Sequence, residues 1–425
     1  MGVTRISDIT FMDKLYIPNY SVTLPGTEDA IWVYSGKGTT VPEAKASALM
    51  EAIERYSSLH SSSSRSLIQG TYSELSKSYN KVLHPAEVVE PVKPEYDGKD
   101  PILEFLLGVD VLTNEEILVP AEIAFYRYSP RSPAICAFLH SHTNGLASGN
   151  VIEEAICHAL CEVIERDAVS VADLCASSIP YTILENIRDL LKKGDSASNI
   201  ARIPLEQIFV DDSSIFPDVD ISEIAKEFDP IKRIVKRFDD AGVPLLIKNI
   251  THNDVGIPTF LASSIEWITH DYGYFTVGSG THPDARVALI RAITEVSQTR
   301  AANIQGARDD LKKIEYKEND KIFKRKWQFM PSSSQQKNKS MINFSDIETY
   351  VNQDILDDIN IILRGLKKGR LKRAIIVDLT NRNVGVPVVR AIVPGLETFG
   401  ITKSIMGRRA KEYFKKTISS KVKRL

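Results

Sequence analysis

The feature that most constrains this chain is a pattern that occurs three times. A short apolar or small-residue stretch leads into a helix-forming segment with acidic side chains on one face and small apolar ones on another. In the first copy, residues 30–35 read as a strand running into Gly36-Lys37-Gly38. Ala46, Leu49, Ala52, Ile53 and Tyr56 then fall at helical spacing across 43–57, with Thr39, Thr40 and Pro42 as start signals. In the second, residues 134–140 are apolar, Thr143-Asn144-Gly145 breaks them, and Gly149-Asn150 offers a cap for a helix over 151–169. The third runs from Gly278-Ser279-Gly280 through Thr281-His282-Pro283 into a helix over 284–305. Unequal spacing between the copies argues against a solenoid of regular repeats. Both glycine pairs read as simple turns, and no phosphate-loop signature accompanies them. Helices and strands intermix throughout, which predicts an α/β (mixed α+β) fold of several strand-turn-helix units.

The remaining segments fit around these units. Residues 61–100 are polar and carry prolines, as a peripheral excursion would, and 179–254 read as a smaller α/β insertion with a strand at 243–250. The low-complexity stretch 331–340 is expected to be a mobile loop. Two β-branched runs, 374–379 and 386–393, read as a hairpin or as neighbouring strands. The organisation expected is one domain over 1–410, with more than one packed lobe, and a basic tail over 411–425.

With 53 Lys and Arg against 55 Asp and Glu, the chain has no whole-protein grip on nucleic acid or anionic lipid. No apolar run is long enough to span a membrane, and no leader or acylation signal is read at Met1. Cys136, Cys157, Cys161 and Cys175 are too few for a disulfide framework and suit a reducing cytoplasm.

The chemistry is read from the helix faces. Ser47, Glu51 and Glu54 lie four and three apart with Arg55 at their border, and Glu154, His158, Glu162 and Glu165 form a second stripe, closed by Arg166 and Asp167. The third helix presents Arg291, Glu295 and Gln298. Any one stripe reads first as a solvated helix face. Glu51 with Glu54, and Glu162 with Glu165, are nevertheless like-charged neighbours with no lysine four residues on, which points to a cation between them. Mg²⁺ shared with nucleotide phosphates suits such carboxylates, and Arg55, Arg166, Arg291 and Lys37 suit the phosphate oxygens.

These strings, in this order, resemble the YcaO family. They are Gly36-Lys37-Gly38 with Ser47 to Arg55, Asn144 to Asn150 with Glu154 and Glu162 to Asp167, Arg291 to Gln298, and Pro387 to Glu397. The resemblance covers most of the chain, from Thr4 to about Arg409. It implies an ATP- and Mg²⁺-dependent enzyme that modifies backbone amides of a protein or peptide substrate. Carried over by position, Glu51, Glu54, Glu154, Glu162, Glu165 and Glu295 match the family's metal and phosphate region. Ser47, Arg55, Asn150, Arg166, Arg291 and Gln298 match its polar nucleotide positions, and Lys37 joins the ATP set. No single catalytic residue is singled out.

Azoline-forming members end in a proline-rich tail, whereas the last proline here is Pro394. The resemblance therefore leans to thioamide formation, as in archaeal, methanogen members associated with TfuA-type partners. It implies a sulfide donor and a glycine of methyl-coenzyme M reductase as the modified residue. The alternatives kept open are an azoline-forming cyclodehydratase of a ribosomal peptide and a non-catalytic accessory or peptide-binding protein; a homodimer also stays open. Elsewhere, Cys157-His158 with Cys161 reads as packed cysteines rather than zinc ligands, His140 and His142 as ordinary loop histidines, and the basic stretch over 403–424 as a solvated helix or a dock for an acidic protein.

Overall fold

The structure is a computed structural model, and it describes residues 1–26, 32–60, 65–174, 216–265, 275–306, 341–398, 401 and 405–413. Cys175, the loop 331–340, the insertion up to residue 215 and the tail from 414 lie outside the described residues.

The described strands form three sheets. β1 (Arg5–Asp8), β2 (Asn19–Thr23) and β3 (Val33–Lys37) make an antiparallel sheet in chain order. A six-stranded sheet runs β4 (Ile68–Gly70), β5 (Leu103–Asp110), β13 (Ile375–Asp378), β14 (Val388–Ile392), β7 (Leu146–Ser148), and β6 (Glu115–Pro120) also pairs with β5. The third runs β11 (Phe275–Thr281), β10 (Thr259–Ile265), β9 (Leu246–Asn249), β8 (Asp218–Asp220), β12 (Met341–Asn343). Mixed α/β architecture is what the sequence predicts, and β13 and β14 do pair antiparallel, with Ile375 opposite Ile392.

Three helices sit between these sheets. α1 (Val41–Ser58) starts at a capping box: Glu43 N–H donates to Thr40 Oγ1, and the Glu43 carboxylate accepts from Thr40 N–H. α7 (Ala285–Gln305) is capped by Asp284, which accepts from Arg286 N–H at 2.9 Å, and ends at Gly306 in the left-handed region. The other described α-helices are α2 (Tyr72–Ser78), α3 (Ala121–Ala124), α5 (Ile224–Glu227), α6 (Asp229–Asp240) and α8 (Ile355–Lys368). α4 (Ile152–Asp173) is central, lying on β7 and β14 on one side and β11 on the other. Its N-cap is Val151 and not Asn150. Glu154 accepts from Asn150 N–H and Nδ2 at 2.8 and 2.9 Å, so the acid reaches back to close the first turn.

The glycine pairs are not turns. Gly36 is in β3, and Gly278 and Gly280 are in β11. A β-carbon on Gly36 would lie 2.0 Å from Ala48 N of α1, and one on Gly280 would lie 2.1 Å from Ala288 O of α7. Each strand thus lies directly against the backbone of the helix that follows it, over buried alanines. That close approach brings the acidic residues of α1 and α7 to the strands' sides. In the second unit the strand, β7, comes after the Thr143-Asn144-Gly145 turn; residues 134–140, expected to supply it, form no strand.

Residues 65–100, expected to be peripheral, supply β4 at the sheet edge and bury Leu75, Val82 and Leu83 in the core around Phe105 and Phe125. Their polarity is that of one face only. The part of the insertion within the described residues packs Ile231, Ile234 and Phe238 of α6 against α7 and the five-stranded sheet. No described helix is long and apolar enough to cross a membrane.

Candidate functional site

α1, α4 and α7 bring most of the predicted residues into one array. Lys37 of β3 reaches Glu295 of α7 at 3.2 Å. Ser279 of β11 donates its N–H to Glu295 at 3.2 Å and its hydroxyl to Glu165 of α4 at 2.8 Å. Burial opposes the charge of Glu295, but Lys37 and Arg166, with these hydrogen bonds, hold its pKa below the ordinary carboxylate range. Burial also works against the Arg166 cation, and Glu165, Glu162 and Glu295 outweigh it and raise its pKa.

At Glu54 and Glu162 the balance reverses. Burial holds the Glu54 pKa well above its ordinary value; Glu162 and Glu51 add to this, and Arg55 and Arg390 offset it only in part. Glu162 is raised too, by burial and by Glu165, against Arg166, Arg55 and Arg390. Arg55 lies 3.5 Å from Glu51 and 3.8 Å from Glu54, and Gly145 N–H donates to Glu162 at 3.3 Å. Burial therefore outweighs the nearby arginines at Glu54 and Glu162.

Two atoms define what is missing. Glu165 Oε2 is buried with no hydrogen-bond partner, and so is Arg291 Nε. The other arm of Arg291 donates to His158 Nε2 at 2.9 Å. Burial, then Arg291 and Lys37, push the His158 pKa down to about 3, so the imidazole is neutral and accepts. An unused carboxylate oxygen suits a hard cation, and an unused guanidinium N–H suits a phosphate oxygen. The donor set thus fits Mg²⁺ with a polyphosphate. Among the described residues no three His, Cys, Asp or Glu side chains converge as a ready metal cage. This matches the way Mg²⁺ is usually held, by one or two carboxylates plus phosphate and water.

The other predicted residues are placed less centrally. Gln298 Nε2 donates to the Ser35 carbonyl of β3. Ser47 is half-buried on α1, one turn before Glu51. Asn150 and Glu154 bond to each other at the start of α4.

Two participants, Arg390 and Ser279, escaped the sequence reading. Arg390 sits in β14, whose five residues are all buried. It donates to the His142 carbonyl at 2.9 Å and approaches His142 Nδ1 at 3.3 Å, while His142 Nε2 lies 2.7 Å from Glu90. Burial lowers the Arg390 pKa to about 10 against the pull of Glu162 and Glu90. His142 is therefore no ordinary loop histidine. The available signal was an arginine alone in a β-branched run, where a charge needs a reason. Ser279 carried no such signal.

α4 turns a second face to the C-terminal segment. Asp167 accepts from Arg409 Nε and Nη2 at 3.1 and 3.0 Å, and lies 3.0 Å from His252 Nδ1. Arg409 Nη1 also donates to Asp254 at 2.6 Å, and Gly407 and Ala410 N–H donate to the buried Glu397 at 2.7 and 2.8 Å. The stretch expected to be a solvated helix therefore buries Arg409, because two carboxylates satisfy its guanidinium. Cys157 and Cys161 are buried on α4, as packed cysteines would be. Hydrogen bonding from Cys161, and less so from His282, brings the Cys157 pKa down to about 6 against burial.

The chain is 34% identical over 415 residues to an uncharacterised protein of Methanothermobacter thermautotrophicus, covering 96% of this chain and 93% of that one. It is 27% identical over 410 residues to an uncharacterised protein from the tfuA 3′ region of Rhizobium leguminosarum bv. trifolii, covering 93% and 84%. Among solved structures, YcaO from Methanopyrus kandleri bound with AMPPCP and Mg²⁺ superposes with a TM-score of 0.66 at 22% identity over 96% of this chain and 90% of that one. A heterocyclase in complex with substrate and cofactor gives 0.68 at 20% identity over 93% of this chain, which spans 50% of that protein's length. Residues 35–205 and 212–397 match the model of the YcaO cyclodehydratases, described as ATP- and Mg²⁺-binding, and the chain belongs to this YcaO family of ATP-dependent enzymes acting on peptide amides.

Proposed function

We propose that this chain forms a thioamide in the backbone of a protein substrate, using ATP and Mg²⁺. The observation that carries the amide-activating part is the presence in one array of two unused buried atoms, Glu165 Oε2 and Arg291 Nε, with carboxylates whose pKa values are raised. Glu51, Glu54, Glu162, Glu165 and Glu295 are assigned to Mg²⁺, a subset of them as direct ligands. Glu154, engaged at the first turn of α4, is the weakest of the six predicted metal positions. Lys37, Arg55, Arg166 and Arg291 are assigned to the phosphates, and Ser47, Asn150 and Gln298 to the rest of the nucleotide.

The chemistry needs such a site because an amide oxygen is a poor leaving group. Bound ATP supplies the phosphoryl group that makes it a good one, with its charge balanced by the cation. The protein's own part is positioning and electrostatics. Arg166 stays cationic between the two halves of the array, and neutral His158 steadies Arg291.

The product class is supported by the tfuA-region relative and the full-length relative from Methanothermobacter. The tfuA-region relative favours a TfuA-like partner; the sulfide donor and a glycine of methyl-coenzyme M reductase as target are what the resemblance to thioamide-forming members implies. The second reading, azoline formation, is favoured by the family description as cyclodehydratases. Mass spectrometry of methyl-coenzyme M reductase, incubated with the chain, a TfuA-like partner, ATP and sulfide, separates them. Exchange of oxygen for sulfur supports thioamidation; loss of water supports the azoline reading; ATP turnover without either product overturns this substrate assignment.

A further inference from the structure

Among the described residues, the six-stranded sheet has a gap. β4 pairs with residues 103–105 of β5, and β13 pairs with Val109 and Asp110, both on the edge opposite β6. Neither pairing extends to Leu107. The direction of its main chain follows from its partner on β6. Leu118, opposite Leu107, donates to Lys81 O at 3.0 Å and accepts from Leu83 N–H at 2.8 Å, so it turns its main-chain groups away from β5. Leu107 and Leu118 are therefore a non-hydrogen-bonded pair, and the N–H and C=O of Leu107 face the gap. Val111 N–H, of the same parity, donates to Ala374 O on that edge at 2.8 Å.

The gap opens into a cavity of about 760 Å³ lined by Ser57, Arg65, Leu107, Asp378 and Arg382, among others. This is within the range of pockets that enclose a ligand. Ser57 Oγ is buried and without a partner, and it lines this cavity one turn beyond Glu54 on α1. Arg65 and Asp378 stand 3.4 Å apart on the same lining, and Arg382 is exposed on the loop after β13. The cavity thus combines a strand segment left unpaired among the described residues, an orphan hydroxyl on the side of the carboxylate array, and the exposed Arg382 beside the Arg65–Asp378 pair.

We infer that this gap receives the substrate chain as an extended segment, held by main-chain pairing to Leu107 and favoured when it carries an acidic side chain. The inference rests on the reading that the substrate is a peptide backbone. Pairing through main-chain atoms holds a peptide irrespective of its side chains, which suits an enzyme whose target is the amide itself. The arginines add the side-chain preference.

The test uses the full chain with Mg²⁺ and a non-hydrolysable ATP analogue, and labelled peptides identical except for one Asp or one Lys, followed by fluorescence anisotropy. The Asp peptide is expected to bind roughly tenfold more tightly than the Lys peptide. Arg382→Glu, at an exposed position, should reverse that order without changing nucleotide affinity. Leu107→Pro removes an N–H that β6 does not use, and N-methylation of one peptide position removes its counterpart. Each should weaken peptide binding roughly tenfold. An unchanged Asp preference in Arg382→Glu, or an N-methyl scan without a sensitive position, overturns the inference. The two readings fail separately: modification with unaltered KM in both variants sinks the gap alone, whereas variant-sensitive peptide binding without any amide product sinks the proposed reaction alone.

Discussion

Glu165 and Asp167 stand two residues apart on α4, both buried, and their surroundings differ completely. Asp167 has Arg409 on both oxygens, His252 beside it and the Glu397 N–H at 2.9 Å; burial opposes its charge, but these partners hold its pKa below the usual range. Glu165 has one hydroxyl on one oxygen and nothing on the other. A helix that turns about 100° per residue delivers neighbouring acids to opposite faces, so one serves as a staple and the other remains open to a ligand. The contrast teaches that burial of charge does not mark a functional site by itself. Here the mark is an unsatisfied carboxylate oxygen standing among other acids.

The comparison breaks most visibly through the staple. Arg409→Met leaves the buried Asp167 without its cation and should cost about 3–5 kcal/mol in a denaturant titration, while the folded fraction keeps its nucleotide affinity. If nucleotide binding is lost in protein that remains folded, the two faces of α4 are not independent.

Glu165→Gln and Glu54→Gln should each lower turnover by at least about a hundredfold with the fold intact by circular dichroism. Because burial already disfavours the Glu54 anion, its Gln variant should melt no earlier than the wild type in the absence of nucleotide. Normal activity in either variant removes that residue from the site.

Nucleotide binding should require the cation, since phosphates otherwise meet several carboxylates. Calorimetry in excess EDTA is expected to show ATP affinity lower by about tenfold or more, and equal affinity would contradict the assignment of these acids.

The last effect concerns pH and is spread over several pH units. His158 falls from an ordinary 6.5 to about 3 in the fold, so between those values the unfolded chain holds the extra proton. Its contribution to stability is complete above 6.5 and declines as pH falls towards 3, by up to about 1.4 kcal/mol per pH unit. His158→Gln should flatten that part of the stability profile; a profile unchanged by the substitution would mean that His158 is protonated in the fold.

Much of this was legible beforehand, for a physical reason. Helical periodicity and start signals such as Thr39, Thr40 and Pro42 are local properties, so α1, α4 and α7 begin and end within a few residues of expectation. Carboxylates three and four apart must share a helix face, which is why Glu51 with Glu54, and Glu162 with Glu165, were identifiable as pairs. Gly278 and Gly280 were misread because a glycine that permits a turn and one that permits a helix to lie on a strand look alike in sequence. The 65–100 stretch was underrated because its few buried residues, Leu75, Val82 and Leu83, are scattered among polar ones.

By itself, then, the sequence determined the family, the mixed α/β class and which acids stand side by side on each helix, all matters of local spacing or ordered motifs. Only the tertiary structure decided which charges meet across elements. It set Lys37 against Glu295, Ser279 against Glu165, Arg390 beside Glu54 and Glu162, and Arg409 on Asp167. The last of these pairs is separated by more than two hundred residues in the chain. Such contacts depend on how closely a strand can approach a helix and on how far a charge is removed from water, and neither quantity exists until the sheets and helices have packed.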